Sequence, residues 1–154
     1  MSLTVGDKAP DFDLPTDGGG SLKLADLKGK AVVLYFYPKD MTPGCTTEAQ
    51  DFRDLAKDFE KAGAVIVGAS KDSPARHDKF IAKHDLNFKL VSDEEGTLCE
   101  AYGVWQLKKF MGREFMGIVR ATFLIDAKGV IREIWPKVKV KGHAAEVLEA
   151  AKAL

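Results

Sequence analysis

The stretch from Ala31 to Glu48 constrains this chain more than any other. Ala31 to Tyr37 is an unbroken apolar run of strand length, and its continuity suits a strand covered on both faces. Pro38 and then Pro43-Gly44 interrupt it. From about Cys45 the residues Ala49, Phe52, Leu55, Ala56 and Phe59 recur at three- and four-residue intervals. They mark the buried stripe of a helix that runs to about Ala62 and stops at Gly63. One cysteine therefore stands in the first turn of a helix, where unpaired backbone N–H groups and the positive end of the helix dipole favour a thiolate over a thiol. That is the setting of a reactive cysteine.

The remaining elements follow in order. Asp11 to Leu14 and Ser21 to Leu24 flank the turn-rich Thr16-Asp17-Gly18-Gly19-Gly20 and predict an N-terminal hairpin. Val65 to Ala69 is a second continuous apolar strand, parallel to the first across a right-handed helical crossover. Ser73-Pro74 caps and opens a helix to about His84. Phe88 to Val91 is a short strand, and Asp93 caps a short helix through Leu98, Cys99 and Tyr102 that stops at Gly103. Gln106 to Gly117 shows no clean period and is expected to be a loop able to rim the site. Arg120 to Asp126 and Val130 to Trp135 form a hairpin across Ala127-Lys128-Gly129, and a last helix spans about Ala144 to Ala153. The expectation is an α/β chain folding as one domain, residues 1–154, with a central mixed sheet flanked by helices.

Composition excludes several classes. With 154 residues and 45% hydrophobic content the chain buries a core without staples. Lys plus Arg and Asp plus Glu balance at 23 each, so no global field favours nucleic acid or an anionic membrane. No apolar run has the length of a membrane span, and the first residues lack the regions of a signal peptide. A cytoplasmic location is expected. Two cysteines in a reducing compartment read as catalytic or inert rather than as a structural disulfide. The three glycines at 18–20 lack the helix and spacing of a phosphate cradle.

The spacing around Cys45 narrows the chemistry. A dithiol oxidoreductase would place a second cysteine three residues on, where this chain has Glu48. What stands there is Pro38-x-x-x-Thr42-x-x-Cys45, inside Phe36-Tyr37-Pro38-Lys39-x-x-Thr42-Pro43-Gly44-Cys45-Thr46-x-Glu48. This pattern resembles the active-site loop of the peroxiredoxins, and within them the bacterioferritin comigratory protein, or Q-type, subfamily. The likeness runs from Val5-Gly6-Asp7-Lys8-Ala9-Pro10-Asp11-Phe12 through Tyr102-Gly103-Val104-Trp105 and Arg120-Ala121-Thr122-Phe123-Leu124-Ile125-Asp126 to the last helix.

The resemblance implies a thioredoxin-like fold, in its peroxiredoxin form with an N-terminal hairpin, and a thiol-dependent peroxidase acting on hydrogen peroxide and organic hydroperoxides. Carried onto this sequence, Cys45 is the sulfur that attacks peroxide, Arg120 donates to sulfur and peroxide, Thr42 offers its hydroxyl, Pro38 shields the sulfur, and Glu48 orients the arginine. The sulfenic acid so formed needs a second thiol. Many subfamily members carry one five residues on, where this chain has Gln50. Cys99 is the other candidate, weighed against the reading of a small buried hydrophobe. The favoured cycle uses Cys45 alone with an external thioredoxin or glutaredoxin-like donor, in a monomer without cofactor. Two alternatives keep the same fold: a thiol-disulfide carrier, and a redox sensor switched by oxidation of Cys45.

Blander readings cover the rest. His77, His84 and His143 lack metal-ligand spacing and are expected to be surface or capping residues. Asp93-Glu94-Glu95 is read as solvated acids at a helix start. The run Lys137-Val138-Lys139-Val140-Lys141 is read as charge guarding an edge or loop, not as a nucleic-acid site. Trp105, Phe110, Met111, Phe115 and Met116 are either an exposed patch near the site or core.

Overall fold

The computed structural model describes residues 3–154, so Met1 and Ser2 lie outside the described residues. The N-terminal hairpin pairs β1 (Asp13–Pro15) with β2 (Ser21–Lys23), shorter than the two runs suggest. There follow β3 (Ala31–Phe36), α1 (Pro43–Lys61), β4 (Ala64–Ser70), α2 (Pro74–His84), β5 (Lys89–Ser92) and α3 (Thr97–Ala101). The chain ends with β6 (Trp105–Phe110), β7 (Arg113–Ile118), β8 (Ala121–Ile125), β9 (Ile131–Trp135) and α4 (His143–Lys152). The main sheet has the order β5-β4-β3-β8-β9. β4 is parallel to both β3 and β5, whereas β8 is antiparallel to both β3 and β9. This is the mixed sheet expected, with β3 at its centre and buried throughout.

The sheet divides two cores. Val32, Leu34 and Phe36 point into one, with Phe12, Leu98 and Phe123; Val33, Tyr35 and Tyr37 point into the other, with Phe52, Phe80 and Val147. α1, α2 and α4 therefore cover one face, and α3 with the N-terminal segment covers the other. On the α1 face Phe52 stacks on Tyr35 with ring centroids 4.7 Å apart, and neither ring is exposed. Burying a ring of this size stabilises the fold by roughly 2–3 kcal/mol. The neighbouring β4 leaves room for Tyr35 only because residue 68 is glycine: a Cβ there would meet Tyr35 Cζ at 2.9 Å and Leu90 Cδ2 at 2.7 Å.

One boundary and one element also differ from the sequence reading. α1 begins at Pro43, not near Cys45, because a proline in the first helical position gives up an N–H that has no partner there anyway. The segment 106–117 is not a loop: β6 and β7 form an antiparallel hairpin with Trp105 opposite Ile118 and Phe110 opposite Arg113. Its two-residue turn, Met111-Gly112, has φ of 51° and 77°, the left-handed pair that matches strand twist. Beyond its root most residues of this ribbon are exposed, so both faces mix apolar and charged residues and no alternation shows. Leu107, Phe110, Met111, Phe115 and Met116 are exposed, whereas Trp105 is half-buried and Ile118 buried at the root. The lysines at 137, 139 and 141 are exposed beyond β9, the sheet's edge strand, as expected.

Two histidines and one aspartate are also corrected. His77 is fully buried, and His143, at the first position of α4, is 5% exposed. Asp93 is buried as well, its carboxylate accepting the N–H of Leu98 at 3.1 Å and of Cys99 at 2.8 Å, whereas Glu94 and Glu95 are solvated. A buried carboxylate that satisfies two orphan donors at a helix start is still a cap, but not a surface one.

His143 gives the fold a pH dependence. Its Nε2 lies 2.8 Å from Thr122 Oγ1 on β8, and Phe52 and Trp135 flank the ring edge-on. Burial lowers its pKa from 6.5 to about 4, with Arg120 adding to the effect and Glu146 opposing it. Between those values the unfolded chain takes up a proton that the folded chain refuses. Stability is therefore full above pH 6.5 and is lost as pH falls towards 4, by up to roughly 3 kcal/mol. In urea titrations at pH 7.5 and pH 5, the parent should lose about 2 kcal/mol more than His143→Gln between the two. Equal losses would show that the imidazole is not the titrating group.

Candidate active site

β3 ends at Phe36 with its partner Ala121 alongside on β8, so the residue before Ala121, Arg120, stands where the chain leaves the sheet for α1. That register brings together residues 75 positions apart. Arg120 Nη2 donates to Cys45 Sγ at 3.3 Å and Nη1 donates to Glu48 Oε1 at 2.6 Å. Cys45 and Glu48 are one turn apart on the same face of α1, and both are almost wholly buried, at 1% and 2% exposure. The guanidinium crosses the first turn directly over Gly44, where a Cβ would lie 3.3 Å from Nη2. Gly44 is thus a matter of space as well as of backbone donors, which the breaker pair Pro43-Gly44 did not reveal.

The local electrostatics follow from this burial. Burial pushes the Glu48 carboxyl up, to about 7, against the opposing pull of Arg120. Burial would lower Arg120, but Glu48 and the Cys45 sulfur outweigh it and hold the guanidinium above its ordinary value. Glu48 Oε2 and Tyr35 Oη are both buried without a partner among the described residues. Burial first, and the charge of Glu48 next, raise the Tyr35 hydroxyl far above its usual range. Ser92 Oγ on β5 is the third buried side-chain oxygen without a partner among the described residues.

The start of α1 supplies donors. Thr42 takes the N-cap position with extended backbone, and the N–H of Thr46 reaches its carbonyl at 2.9 Å. The N–H groups of Gly44 and Cys45 precede that bond and have no backbone acceptor among the described residues. Thr42 Oγ1 does not cap the helix; it donates to the carbonyl of Lys39 at 2.9 Å, which leaves its lone pairs free to accept. Pro38 is half-buried at the head of the same loop.

Cys99 is not brought to this cluster. Both cysteines are free, but Cys45 packs with Tyr35 and Tyr37 on one face of the sheet, and Cys99 packs with Leu34 and Phe36 on the other. A disulfide needs Cα atoms within about 7 Å, and the central sheet stands between them. Burial, reinforced by the Asp93 carboxylate, also pushes the Cys99 thiol well above its ordinary range. Its burial matches the reading of a small buried hydrophobe.

Sequence reasoning missed a buried polar network in the loop beside the site. Asp40, Tyr37 and His77 are buried together, with Asp40 Oδ2 2.7 Å from His77 Nδ1 and the Tyr37 hydroxyl donating to Asp40 Oδ1 at 2.5 Å. A signal for His77 existed: His77, Phe80, Ile81 and His84 repeat at the spacing of a buried helical stripe. No comparable signal marks Asp40 within its loop. Among the described residues no group of three or more His, Cys, Asp or Glu is arranged to hold a metal ion.

Comparison with known proteins agrees with this geometry. Residues 5–134 match the AhpC/TSA family. The chain is 56% identical over 152 residues to Peroxiredoxin Bcp of Bacillus subtilis, covering 99% of this chain and 97% of that one. It is 45% identical over 146 residues to Peroxiredoxin Bcp of Escherichia coli, covering 95% and 94%. Among solved structures it superposes on a cysteine-to-serine mutant of Xylella fastidiosa PrxQ with a TM-score of 0.94 at 41% identity, covering 99% of this chain and 98% of that one. It superposes with a TM-score of 0.88, at 47% identity and with coverage of 92% and 90%, on the Xanthomonas campestris bacterioferritin comigratory protein, which was studied for alkyl peroxide reduction. With its fold, its buried sulfur and these relatives in agreement, the chain belongs to the AhpC/TSA family, as a peroxiredoxin of the Bcp or Q type and hence a thiol-dependent peroxidase.

Proposed function

We propose that Cys45 is the sulfur with which this chain reduces hydrogen peroxide and organic hydroperoxides, and that the oxidised sulfur is returned to the thiol by an external dithiol. The observation that carries this reading is the 3.3 Å contact between the Arg120 guanidinium and Cys45 Sγ over the first turn of α1. A cation and a helix start both favour charge on sulfur.

In the oxidative step a lone pair of the Cys45 thiolate attacks the terminal oxygen of the peroxide. The S–O bond forms as the O–O bond breaks, and the departing oxygen leaves with the electron pair and takes a proton to become water or an alcohol. Sulfur is oxidised by two electrons to a sulfenic acid. The Gly44 and Cys45 N–H groups and Arg120 are the donors available to the oxygen that gains charge. Thr42 Oγ1, its own hydrogen engaged by Lys39, accepts the peroxide O–H and so aligns the bond to be broken. Glu48 holds the guanidinium in place, and Pro38, having no N–H, lines the sulfur's surroundings without competing for it.

In the reductive step a thiol of the donor attacks sulfenic sulfur, an S–S bond forms and water leaves. The donor's second thiol then attacks that disulfide, freeing Cys45 and leaving the donor oxidised. A thioredoxin or glutaredoxin-like protein is the donor this chemistry calls for, because Cys99 lies across the sheet and residue 50 is glutamine. In this reading the chain works as a monomer in the cytoplasm, where such donors are kept reduced.

Intact mass spectrometry after one equivalent of peroxide tests the one-cysteine cycle. The parent and Cys99→Ser should both gain a single oxygen and lose no hydrogens to a disulfide, while Cys45→Ser should gain none. A species two mass units lighter in the parent that vanishes in Cys99→Ser would instead make Cys99 the resolving thiol. Stopped-flow oxidation tests the arginine. Arg120→Met should slow peroxide consumption by about 100-fold or more, and Arg120→Lys should recover only part of it, since lysine keeps the charge without the two-pronged fork. Glu48→Gln should cost about tenfold, because the guanidinium keeps a partner but loses the charge that fixes it. A parent-like rate in Arg120→Met would remove the contact on which the assignment rests.

A further inference from the structure

Resting on the peroxide chemistry assigned to Cys45, we propose that Asp40 and His77, with Tyr37, are positioning residues that set the orientation of the Thr42 hydroxyl through a single peptide plane. Asp40 and His77 are fully buried, on different elements 37 residues apart. Asp40 lies in the turn between β3 and α1, and His77 lies in the first turn of α2.

Both nitrogens of the imidazole are committed. Nε2 is 3.1 Å from the carbonyl of Val91 on β5, and a carbonyl only accepts, so Nε2 carries hydrogen. Nδ1 is 2.7 Å from Asp40 Oδ2, and the second carboxyl oxygen receives the Tyr37 hydroxyl at 2.5 Å. The histidine is thereby fixed to the sheet at one nitrogen and holds the loop with the other. Among the described residues no polar atom of this network bonds to Cys45, although the Tyr37 ring shares its core, and nothing in the peroxide step described above uses the network.

Its effect reaches the site through the Lys39–Asp40 peptide. The N–H of that unit, on Asp40, donates to Asp72 Oδ2 at 2.8 Å. Its carbonyl, on Lys39, accepts the Thr42 hydroxyl at 2.9 Å. Because the unit is planar and trans, fixing one end fixes the other. Asp72 is itself held by Ser70 Oγ at 2.7 Å and by Arg76 Nε at 3.0 Å. The next residue, Met41, has a left-handed φ of 68°, a conformation that costs a side-chain-bearing residue about 1 kcal/mol or more and persists only where its neighbours hold it. Clamped at the Asp40 carboxylate and at the Asp40 N–H, the turn has one orientation, and the lone pairs of Thr42 face one way.

Paired amide substitutions separate positioning from packing. In His77→Asn the amide nitrogen occupies roughly the place of Nδ1 and keeps the donor to Asp40. In His77→Gln it occupies roughly the place of Nε2, keeping Val91 and releasing Asp40. Both remove the ring from the same cavity. The readout is the second-order rate constant for Cys45 oxidation by hydrogen peroxide, measured where urea titration shows each variant folded. His77→Gln should fall by about tenfold or more, since a small misplacement of an aligning group costs that much, and His77→Asn should stay within about threefold of the parent. Equal rate constants for the two amides, whether lowered or parent-like, overturn the proposal, because packing alone does not distinguish them.

Should either amide fail to fold, Tyr37→Phe decides: it deletes one oxygen from an otherwise filled core and unties Asp40 Oδ1. A fall of at least about threefold supports the proposal, and a parent-like value overturns it. A parent that consumes no peroxide would fail the functional assignment instead, a result that none of the variant comparisons can mimic.

Discussion

One guanidinium ties together the buried polar groups at the start of α1. Arg120 spans from the sulfur of Cys45 to the carboxylate of Glu48, and all three groups are largely withdrawn from water. In bulk water such contacts would be worth little, because solvent screens them and competes for every donor. Removed from water they are strong, but each charge has paid a desolvation cost that only its partners offset. The arrangement is therefore all or nothing: taking away the arginine would strand a buried carboxylate beside a buried sulfur. Two oxygens that share this burial, Glu48 Oε2 and Tyr35 Oη, have no hydrogen-bond partner among the described residues.

The cluster exists because of strand register. Phe36 lies opposite Ala121, so Arg120 emerges at the point where β3 hands the chain to the loop before α1. A slip of one residue between β3 and β8 would turn the arginine to the opposite face of the sheet. That register is secured by the alternation of two cores along β3, with Val32, Leu34 and Phe36 on one side and Val33, Tyr35 and Tyr37 on the other. Hydrophobic packing of ordinary kind thus determines where the charge that meets Cys45 stands. The same alternation separates the thiols, since Cys99 belongs to the first core and Cys45 to the second.

Two other sets of buried polar contacts tie helices to this frame. Thr122, on β8, meets His143 at the start of α4, and Asp40 in the loop meets His77 in α2. Each joins a segment beside the sulfur to a helix packed on the same face of the sheet. A chain that needed only stability would fill these places with apolar side chains. Both histidines here lie within the layer that carries Cys45 and Arg120, and a hydrogen bond fixes direction where an apolar contact fixes only distance.

Local patterns settled a good deal in advance. The continuous run Ala31 to Tyr37, the stripe from Ala49 to Phe59 and the Ser73-Pro74 cap each depend on residues within one or two turns, so strand, helix and cap were legible in the linear chain. So was a cysteine at a helix start, and with it the resemblance that pointed to Arg120 and Glu48. Tertiary structure decided what depends on residues far apart. The ribbon at 105–118 gave no signal because neither face is buried beyond its root, and hydrophobic alternation is a record of one-sided burial. His77 read as a surface or capping residue and Asp40 drew no reading at all, because a charge in a loop and an imidazole on a helix carry no mark of the partner 37 positions away. The sequence alone determined which sulfur stands at a helix start; only the packing of two layers across one sheet decided which charges reach it and that the second thiol does not, because distances across a core are set by the whole fold and not by neighbours along the chain.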